Sequence, residues 1–511
     1  MLELFELCSG AWSHLLSLSI GIFQKLSPRT CTSPSLQSCP DAMRDRQELT
    51  SRQLHLDSQA ASCDPAPADD SKGFSQPPKE GESSDPARYS SRRTASEIHR
   101  CRKGQRTDIK PSEWNKFGYA SRDDEVLSKD NIVYDEQTVP IPRVRRCDIT
   151  LEEFQKEYVE KDRPVIVEGA CSDWPAMSRW STEALDERFR HVDFKVGKTD
   201  KGKNINLKMK YFLDYMKHQQ DDNPLYLFET KVDENNTMRH LLDDFDHPDL
   251  FPHDWFGLMN DEARPPHRWW AIGPKRSGTT VHTDPLGTSA WNAVSHGVKR
   301  WVLFEPHVPK RIVKGRDVKK KGEDTEAIMY FDFLLPRLKK ANPEVRVYEG
   351  LQNPGDIIFV PGDWWHGVLN LEDCVAVTAN FCGPESFDKI WKRTRKDREK
   401  VAHLWLRNMK KFAPRLYARA TELNQADGFR MRHQRGPGEK PDGSDDSSSD
   451  SSSSDSSSDS AEDLSPEGLS AALGGDVVLG HAAKKRRAEA AEPLPRRRRR
   501  ETEDNPSPEA Q

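Results

Sequence analysis

The sequence has 511 residues, enough for two or three ordinary domains, but only 34% of them are hydrophobic, so less of the chain is expected to fold. The formal net charge of −5 excludes neither an acidic nor a basic partner, because opposite charges are concentrated in separate segments. The nine cysteines form no CxxC pair and no zinc-knuckle spacing, which favours a reducing compartment over a disulfide-stapled secreted fold.

The first segment, residues 1–105, is rich in Ser, Pro, Asp and Arg and has little periodic apolar pattern, so we predict a disordered N-terminal extension. Residues 11–23 are apolar enough for a signal sequence, but Glu3 and Glu6 stand where a signal needs positive charge. This stretch is also too short to span a bilayer. We therefore expect neither export nor a membrane partner.

Residues 106–235 are predicted to form a region of helices and strands that packs on a barrel formed by the residues after it. Helical spacing behind a Thr or Ser cap predicts helices over 149–162 and 181–190. The apolar run 163–170 between them predicts a buried strand.

Strand-like runs dominate residues 236–398. Short stretches rich in β-branched and aromatic residues are separated by Gly, Pro or Asp turns, among them RWWAIG, GTTVHT, SAWNAV, VKRWVLFE, GDIIFVP, HGVLNL and CVAVTANF. This pattern predicts a mainly β fold, a double-sheet jelly roll or small barrel, with flanking α-helices.

An apolar stripe at helical spacing over residues 387–412 predicts helix, and residues 399–425 form the predicted C-terminal helical region. The stripe suits packing either on the barrel or on a second copy of the chain. A homodimer or higher oligomer therefore stays open.

Residues 426–511 are predicted to be a disordered tail with separated charges. Between Ser444 and Ser460 twelve residues are serine and five are aspartate, so the backbone has nothing to bury. The clusters KKRR (484–487) and RRRRR (496–500) are typical of a nuclear signal read by an import receptor, and such clusters bind RNA phosphates as readily. We expect a protein of the nucleus, in the nucleoplasm with the nucleolus left open, that has single-stranded RNA among its partners.

One strand-like run, GTTVHTDPLG, carries a histidine and an aspartate two positions apart, His282 and Asp284. Side chains at i and i+2 of a strand share a face, so both would project into the interior, where an unpartnered carboxylate is costly. A third ligand is offered by His366, which follows a Pro-Gly-Asp turn near a distant strand. Two histidines and one carboxylate on one face of an octahedral ion are typical of Fe(II) oxygenases. Alone, the His-x-Asp pair would be an ordinary satisfied polar pair.

An oxygenase that uses 2-oxoglutarate must also hold a dianion, whose far carboxylate needs a fixed cation and a hydroxyl donor. Lys299, on the strand after the His-x-Asp segment, could supply the charge, while Thr378 and Tyr226 could supply hydroxyls. Each also has an ordinary interpretation, because a lysine on a strand is usually solvated and a threonine is usually only a good strand former.

The blocks HTDPLGTSAWN, RPP, KMKYFLDYM and PGDWWH make residues 108–423 similar to the JmjC-domain oxygenases. The resemblance implies a cupin-like double-stranded β-helix over 236–398, with Fe(II) as cofactor and 2-oxoglutarate and O2 as co-substrates. It implies that the iron is held by His282, Asp284 and His366. It implies a pocket for 2-oxoglutarate formed by Lys299, Thr378, Asn292, Tyr226 and Thr279. It also implies a catalytic amide beside the iron, Asn380.

These features predict a nuclear Fe(II)- and 2-oxoglutarate-dependent dioxygenase that acts as a peptidyl-lysine 5-hydroxylase on splicing proteins and histones. Demethylation of methyl-arginine is the same radical chemistry applied to an N-methyl group, so the sequence leaves both reactions open. Aromatic walls could grip a lysine stem or an arginine plane, although at least three of the candidates are expected to be core: Trp269, Trp270, Trp291, Trp364 and Trp365. The competing interpretation is a catalytically weak nuclear scaffold that binds RNA or splicing factors through its barrel and charged tails.

Overall fold

The computed structural model describes residues 89–122, 127–260, 263–431 and 434. The sequence predictions for residues 1–88, for the Ser/Asp-rich tract and for the Arg-rich clusters lie outside the described residues. The helices are α1 (Arg92–Gln105), α2 (Leu151–Phe154), α3 (Ala176–Arg179), α4 (Thr182–Phe189), α5 (Met209–His218), α6 (Lys310–Val313), α7 (Ala327–Met329), α8 (Leu335–Ala341), α9 (Phe387–Asp397), α10 (Glu399–Phe412) and α11 (Pro414–Ala426). The strands are β1 (Thr138–Pro140), β2 (Arg143–Arg145), β3 (Val165–Glu168), β4 (Asp193–Lys198), β5 (Asn204–Lys208), β6 (Leu227–Glu229), β7 (Arg268–Gly273), β8 (Gly278–His282), β9 (Ser289–His296), β10 (Lys299–Phe304), β11 (Val347–Gln352), β12 (Ile357–Val360), β13 (Trp365–Asn370) and β14 (Cys374–Phe381).

The strands form two large sheets and one hairpin. The first sheet has the order β1-β11-β10-β13-β8, the second has the order β2-β3-β12-β9-β14-β7-β6, and β4 pairs with β5. Most neighbours are antiparallel, except β1 with β11 and β2 with β3. Neither sheet closes on itself, so the mainly β, jelly-roll fold is confirmed as two open sheets rather than a closed barrel. All seven stretches predicted as strands contain strands.

The two sheets pack against each other through a small apolar cluster. Trp301 of β10 and Val368 of β13, from the first sheet, pack with Ile166 of β3 and Ile358 of β12, from the second. A larger cluster joins the second sheet to the helices before it, and there Phe154 lies 6.0 Å, ring to ring, from Phe359. These contacts hold in place the strands that carry the candidate site, because buried apolar surface is the main stabilising term of such a core.

Residues 149–162 and 181–190 are helical as predicted, with a change of winding in the first. Thr150 caps α2 and forms a reciprocal capping box with Glu153, and the helix continues as a π segment over Gln155–Val159. Ser181 caps α4 by accepting a hydrogen bond from the Ala184 amide. The strand predicted between them is β3.

The prediction that residues up to 105 do not fold is wrong for residues 92–105, which form α1. Ile98 and Cys101 on this helix are fully buried in the larger apolar cluster. Arg102 donates to Asp221 through Nε at 2.9 Å, and Tyr215 donates to the same carboxylate at 2.6 Å. Composition missed the helix because its apolar residues are few and stand among Arg and Lys side chains.

The stripe over residues 387–412 forms two helices rather than one. The helix breaks at Arg398, whose backbone (φ −138°, ψ 61°) is not helical, so α9 and α10 are separate. The apolar face packs within the chain, where Trp391, Trp405 and Met409 are fully buried. The stripe is therefore occupied by its own chain, and the oligomeric state stays a prediction.

Three of the five candidate mouth tryptophans belong to the core. Trp270, Trp291 and Trp364 are buried, whereas Trp269 and Trp365 are partly exposed, which confirms the expectation that at least three are structural. No helix within the described ranges combines the length and hydropathy that a bilayer-spanning segment needs.

Replacing Ile98 with Ala tests whether α1 is part of the folded unit. We expect Ile98→Ala to lower the free energy of unfolding by about 2–5 kcal/mol, because it removes buried methyl groups and leaves a cavity. Urea denaturation of the full chain measures this, with the exposed neighbour His99→Ala as a control that should change it by less than about 0.5 kcal/mol. Equal stability of the two variants would contradict the packing of α1.

Candidate metal and co-substrate site

The predicted metal ligands converge at the end of the pair formed by β8 and β13. In this antiparallel pair His282 is the direct partner of His366, and their imidazole centroids are 4.3 Å apart. Strand β8 ends at His282, so Asp284 reaches the site from the turn that follows rather than from the strand itself. One ligand atom from each of the three residues lies within 4.8 Å of the others, close enough to share one ion.

Glycines permit the close approach of these two strands. A Cβ on Gly278 would collide with the carbonyl oxygen of Val368, and a Cβ on Gly367 would lie 2.9 Å from Cγ2 of Val281. Larger residues would push β8 and β13 apart, because a packed interior has no free volume to absorb them. The pairing also shifts register between His366 and Val368, directly beside the predicted ligand His366.

Backbone carbonyls fix the tautomer of both histidines. His282 Nδ1 lies 2.7 Å from the Thr280 carbonyl oxygen, and His366 Nδ1 lies 3.0 Å from the Trp364 carbonyl oxygen. A carbonyl only accepts, so each Nδ1 carries the proton and donates it. Each Nε2 is left with its lone pair for a metal, and His366 Nε2 is 3.9 Å from the Asp284 carboxylate.

The electrostatic surroundings keep His282 neutral. Its pKa is lowered to about 4, first by burial and then by the neighbouring His366 imidazole, against the Asp284 carboxylate, which raises it. The positive charge of Lys314 acts in the same direction as burial. At neutral pH His282 is therefore in the form that binds metal.

The predicted co-substrate lysine is deeply buried without a counter-ion. Lys299 is 2% exposed, and its Nζ donates to the Asn370 side-chain oxygen at 2.9 Å and to the Tyr226 hydroxyl at 3.4 Å. Among the described residues no carboxylate lies within ion-pair distance of it. A buried ammonium that meets only neutral oxygens is costly, which calls for an anionic ligand.

Among the residues predicted to line the co-substrate pocket, two buried polar atoms have no hydrogen-bond partner. They are Oγ1 of Thr279, on β8, and Oδ1 of Asn292, on β9. Thr378 is the direct strand partner of Asn292, and its hydroxyl donates to the Trp291 carbonyl at 2.8 Å. Buried polar groups in native proteins are almost always hydrogen-bonded, so these orphaned atoms indicate room for a polar ligand.

Comparison with known proteins decides the family. Residues 151–387 match the model of the cupin-like domain family. The chain is 36% identical over 331 residues to a bifunctional arginine demethylase and lysyl-hydroxylase of Caenorhabditis elegans, covering 64% of this chain and 80% of that protein. The chain belongs to the JmjC family of 2-oxoglutarate oxygenases.

Two further relatives agree with this assignment. An arginine-specific demethylase of Arabidopsis thaliana is 36% identical over 242 residues, which cover 47% of this chain and 46% of that protein. A 2-oxoglutarate and iron-dependent oxygenase of Mus musculus is 22% identical over 273 residues, which cover 49% of this chain and 62% of that protein.

The residues of this JmjC oxygenase fit the groups that its family implies, Fe(II) and 2-oxoglutarate. Two imidazole nitrogens and one carboxylate oxygen, His282, His366 and Asp284, would hold the iron and leave its other positions open. The unpaired Lys299 ammonium would receive the far carboxylate of 2-oxoglutarate. When bound, Fe(II) and 2-oxoglutarate would activate O2, which is the oxidant for hydroxylating a C–H bond. The individual roles of the pocket residues remain predictions.

Asn380 lies near the turn that presents the aspartate. Its side-chain nitrogen donates to the Thr288 hydroxyl at 3.0 Å, and that hydroxyl donates to the Pro285 carbonyl at 3.0 Å. Pro285 directly follows Asp284, so the amide of Asn380 holds the turn through Thr288. The predicted catalytic role of Asn380 is untested, and these contacts support a positioning role.

Asn370 was not identified as a functional residue from the sequence alone. It is fully buried, it accepts from Lys299, and its nitrogen donates to the Ser277 hydroxyl at 2.9 Å. Nothing in its local pattern distinguishes it from any strand asparagine. Only its pairing opposite Lys299 identifies it, and that register is set by long-range strand order.

Two substitutions should separate metal binding from co-substrate binding. We expect Asp284→Ala to weaken Mn(II) binding by at least roughly 100-fold. Removing even a residue that only hydrogen-bonds to a metal ligand lowers metal affinity by roughly 10- to 100-fold.

We expect Lys299→Met to leave Mn(II) binding unchanged. It should weaken 2-oxoglutarate binding to the Mn(II)-loaded protein by roughly 10- to 100-fold, because a charged hydrogen bond is lost. Titration calorimetry measures both.

Matched controls are Asp243→Ala and Lys217→Met, which change exposed side chains of the same type. Both should bind Mn(II) and 2-oxoglutarate like the unaltered chain. Unchanged Mn(II) affinity in Asp284→Ala would show that the trio is not the metal site.

Proposed function

We propose that this oxygenase is a nuclear, O2-dependent enzyme that hydroxylates lysine side chains at C5 in splicing proteins and histones. The observation that carries the catalytic part is the convergence of His282, Asp284 and His366, together with a buried Lys299 without a counter-ion on the strand next to that of His366. The choice of lysine is supported by the name of the Caenorhabditis elegans relative, a lysyl-hydroxylase.

Removal of methyl groups from methyl-arginine is the second candidate reaction. The C. elegans and Arabidopsis relatives are both named as arginine demethylases. Hydroxylation of an N-methyl carbon consumes O2 and 2-oxoglutarate, gives succinate and CO2, and leaves an N-hydroxymethyl group that releases formaldehyde. The same site thus serves both reactions, and the positioned carbon decides which one occurs.

Aromatic side chains at the partly exposed positions are suited to hold either target. Trp269 stacks on Phe228 with ring centroids 6.0 Å apart and an angle of 25° between planes. Trp365 directly precedes the ligand His366 and is also partly exposed. A tryptophan face attracts a lysine ammonium or an arginine guanidinium, which supports basic side chains as substrates.

A scaffold without catalysis is the competing function. It would have to bury a lysine without a counter-ion and leave the side-chain oxygens of Thr279 and Asn292 without partners, at a cost in stability that no ligand offsets. An enzyme that binds a dianion at this place relieves that cost. The physical chemistry therefore favours the enzyme.

Peptide oxidation tests the reaction. The full chain is incubated with Fe(II), ascorbate and 2-oxoglutarate, together with peptides of arginine/serine-rich splicing factors and of histone tails, unmodified or methylated at arginine. We expect mass gains of one oxygen on lysine, while demethylation would appear as loss of a methyl group with formaldehyde release. His282→Ala is the control and should be inactive. If both chains are silent yet both bind RNA, the scaffold function is correct.

The nuclear location is a separate proposal, supported by the clusters at 484–487 and 496–500, which suit an import receptor. Replacing all nine basic residues of the two clusters with Gln should shift the protein from the nucleus to the cytoplasm, as fluorescence imaging would show. A control variant changes four exposed lysines to Gln and should stay nuclear: Lys201, Lys203, Lys340 and Lys400. Nuclear accumulation without the clusters would refute the proposed signal.

A further inference from the structure

The connection between β10 and β11 carries a dense group of cations. We call residues 310–321 the basic loop. It contains seven basic residues and a single acid, Asp317, and the basic residues are Lys310, Arg311, Lys314, Arg316, Lys319, Lys320 and Lys321. Asp317 accepts from Arg311 Nε at 2.6 Å, so the one acid of the loop is engaged locally.

The loop is anchored to the core, which fixes where its cations stand. Val313 is fully buried, and its carbonyl accepts from the Tyr330 hydroxyl at 2.7 Å. Val318 packs on the same apolar cluster, and Gly315 supplies the left-handed turn between them (φ +60°). The backbone that carries the basic side chains is therefore fixed to the core. The side chains from Lys319 to Lys321 are exposed to solvent.

Four lysines of the loop carry positive charge that no nearby carboxylate neutralises within the described part of the fold. Among the described residues, Lys314, Lys319, Lys320 and Lys321 have no carboxylate within ion-pair distance. Burial, together with the adjacent charges of Lys310 and Arg316, lowers the pKa of Lys314. Crowded cations of one sign create a field that attracts an anionic chain.

We propose that the basic loop binds the acidic tract of the same chain, residues 443–463. This tract has seven acidic residues and no Lys or Arg, so it matches the loop in number of charges and opposes it in sign. Serine makes up most of its remaining residues, and serine is small enough to let the aspartates approach the lysines of the loop. The proposal concerns binding alone and does not depend on the enzyme's substrate.

The length of chain is sufficient for the contact. Asp455 stands 21 residues after Gln434, the last described residue, and this distance corresponds to roughly 70 Å of extended chain. A folded body of this size has a radius of gyration of roughly 20 Å, so the tract can reach any face of it. Tethering also raises the effective concentration of the tract to roughly the millimolar range. At that concentration the tract would occupy the loop even if the electrostatic contact is weak.

The composition of the loop favours an acidic peptide over single-stranded RNA. Sites for single-stranded nucleic acid combine cations with aromatic side chains on which bases stack. The sequence of the loop, KRIVKGRDVKKK, contains no Phe, Tyr, Trp or His. The loop is therefore better suited to the carboxylates of an acidic peptide than to the bases of single-stranded RNA.

Carbodiimide cross-linking of the full chain tests the proposal, because this reagent joins a lysine amine directly to a touching carboxylate. Equal amounts of unlabelled and 15N-labelled chain are mixed at low salt, and cross-linked peptides are identified by mass spectrometry. We expect links from Lys319, Lys320 or Lys321 to residues 443–463, mostly within one isotope label. They should disappear at roughly 1 M salt, where the Debye length is about 3 Å.

The test variant changes Lys314, Lys319, Lys320 and Lys321 to Gln, and the matched control changes Lys201, Lys203, Lys340 and Lys400 to Gln, four exposed lysines elsewhere. The tract's contact with the body of the protein should be lost in the first variant and kept in the second. This loss is read from links between the tract and any other lysine of residues 89–431, since glutamine itself cannot be linked. Equal link yields in both variants, or no links at low salt in the unaltered chain, would overturn the proposal. If about half of the links joined different isotope labels, as random pairing of copies in an equal mixture gives, a second copy and not the same chain would supply the tract.

A competition measurement gives an independent readout. A synthetic peptide of residues 443–463 should bind at least roughly 10-fold more tightly to a chain whose six tract aspartates are changed to Asn than to the unaltered chain, because the tract then no longer occupies the loop. Equal affinity for the two chains would overturn the proposal. So would binding of single-stranded RNA that depends on the four loop lysines and is unaffected by the tract.

Discussion

The predicted metal-ligand trio depends on the register in which β8 pairs with β13, because that register sets His282 directly opposite His366. A shift of one residue would turn one of the two imidazoles to the other face of the sheet and separate the ligands. Gly278 and Gly367 let the two strands approach closely enough for the imidazole rings to share an ion. The turn after β8 then needs only two residues to bring Asp284 to the same point.

The buried ammonium of Lys299 is the second constraint. Strands β10 and β13 pair so that Lys299 lies opposite Asn370, which gives the lysine a neutral acceptor but no counter-ion. The protein without ligand therefore keeps an electrostatic cost, and a carboxylate ligand that binds the folded state relieves it. Such a ligand stabilises the fold by mass action as well as serving the reaction.

Local sequence pattern was sufficient for the strands and for the donor types of the site. The apolar, β-branched run CVAVTANF and the His-x-Asp spacing are short-range signals, and both describe what the structure contains. Asn370 could not be found in this way, since its role depends on which strand pairs with β10. The break at Arg398 also has no sequence signal, because neither Gly nor Pro marks it. The helix α1 was missed because two buried residues, Ile98 and Cys101, are too few to alter a composition dominated by charge.

That missed helix is connected to Lys299, the predicted co-substrate lysine, by hydrogen bonds and by the peptide link between Arg276 and Ser277. Arg102 of α1 pairs with Asp221, whose carbonyl accepts from Arg276 Nε at 3.0 Å. The next residue, Ser277, accepts from the Asn370 side chain and backbone, and Asn370 in turn accepts from Lys299. Every member of this path is buried, so each bond lies in a medium where an unmade hydrogen bond is costly. The residues that position Lys299 are thus supported from outside the two sheets, by a helix that precedes residues 151–387, the part that matches the cupin-like family.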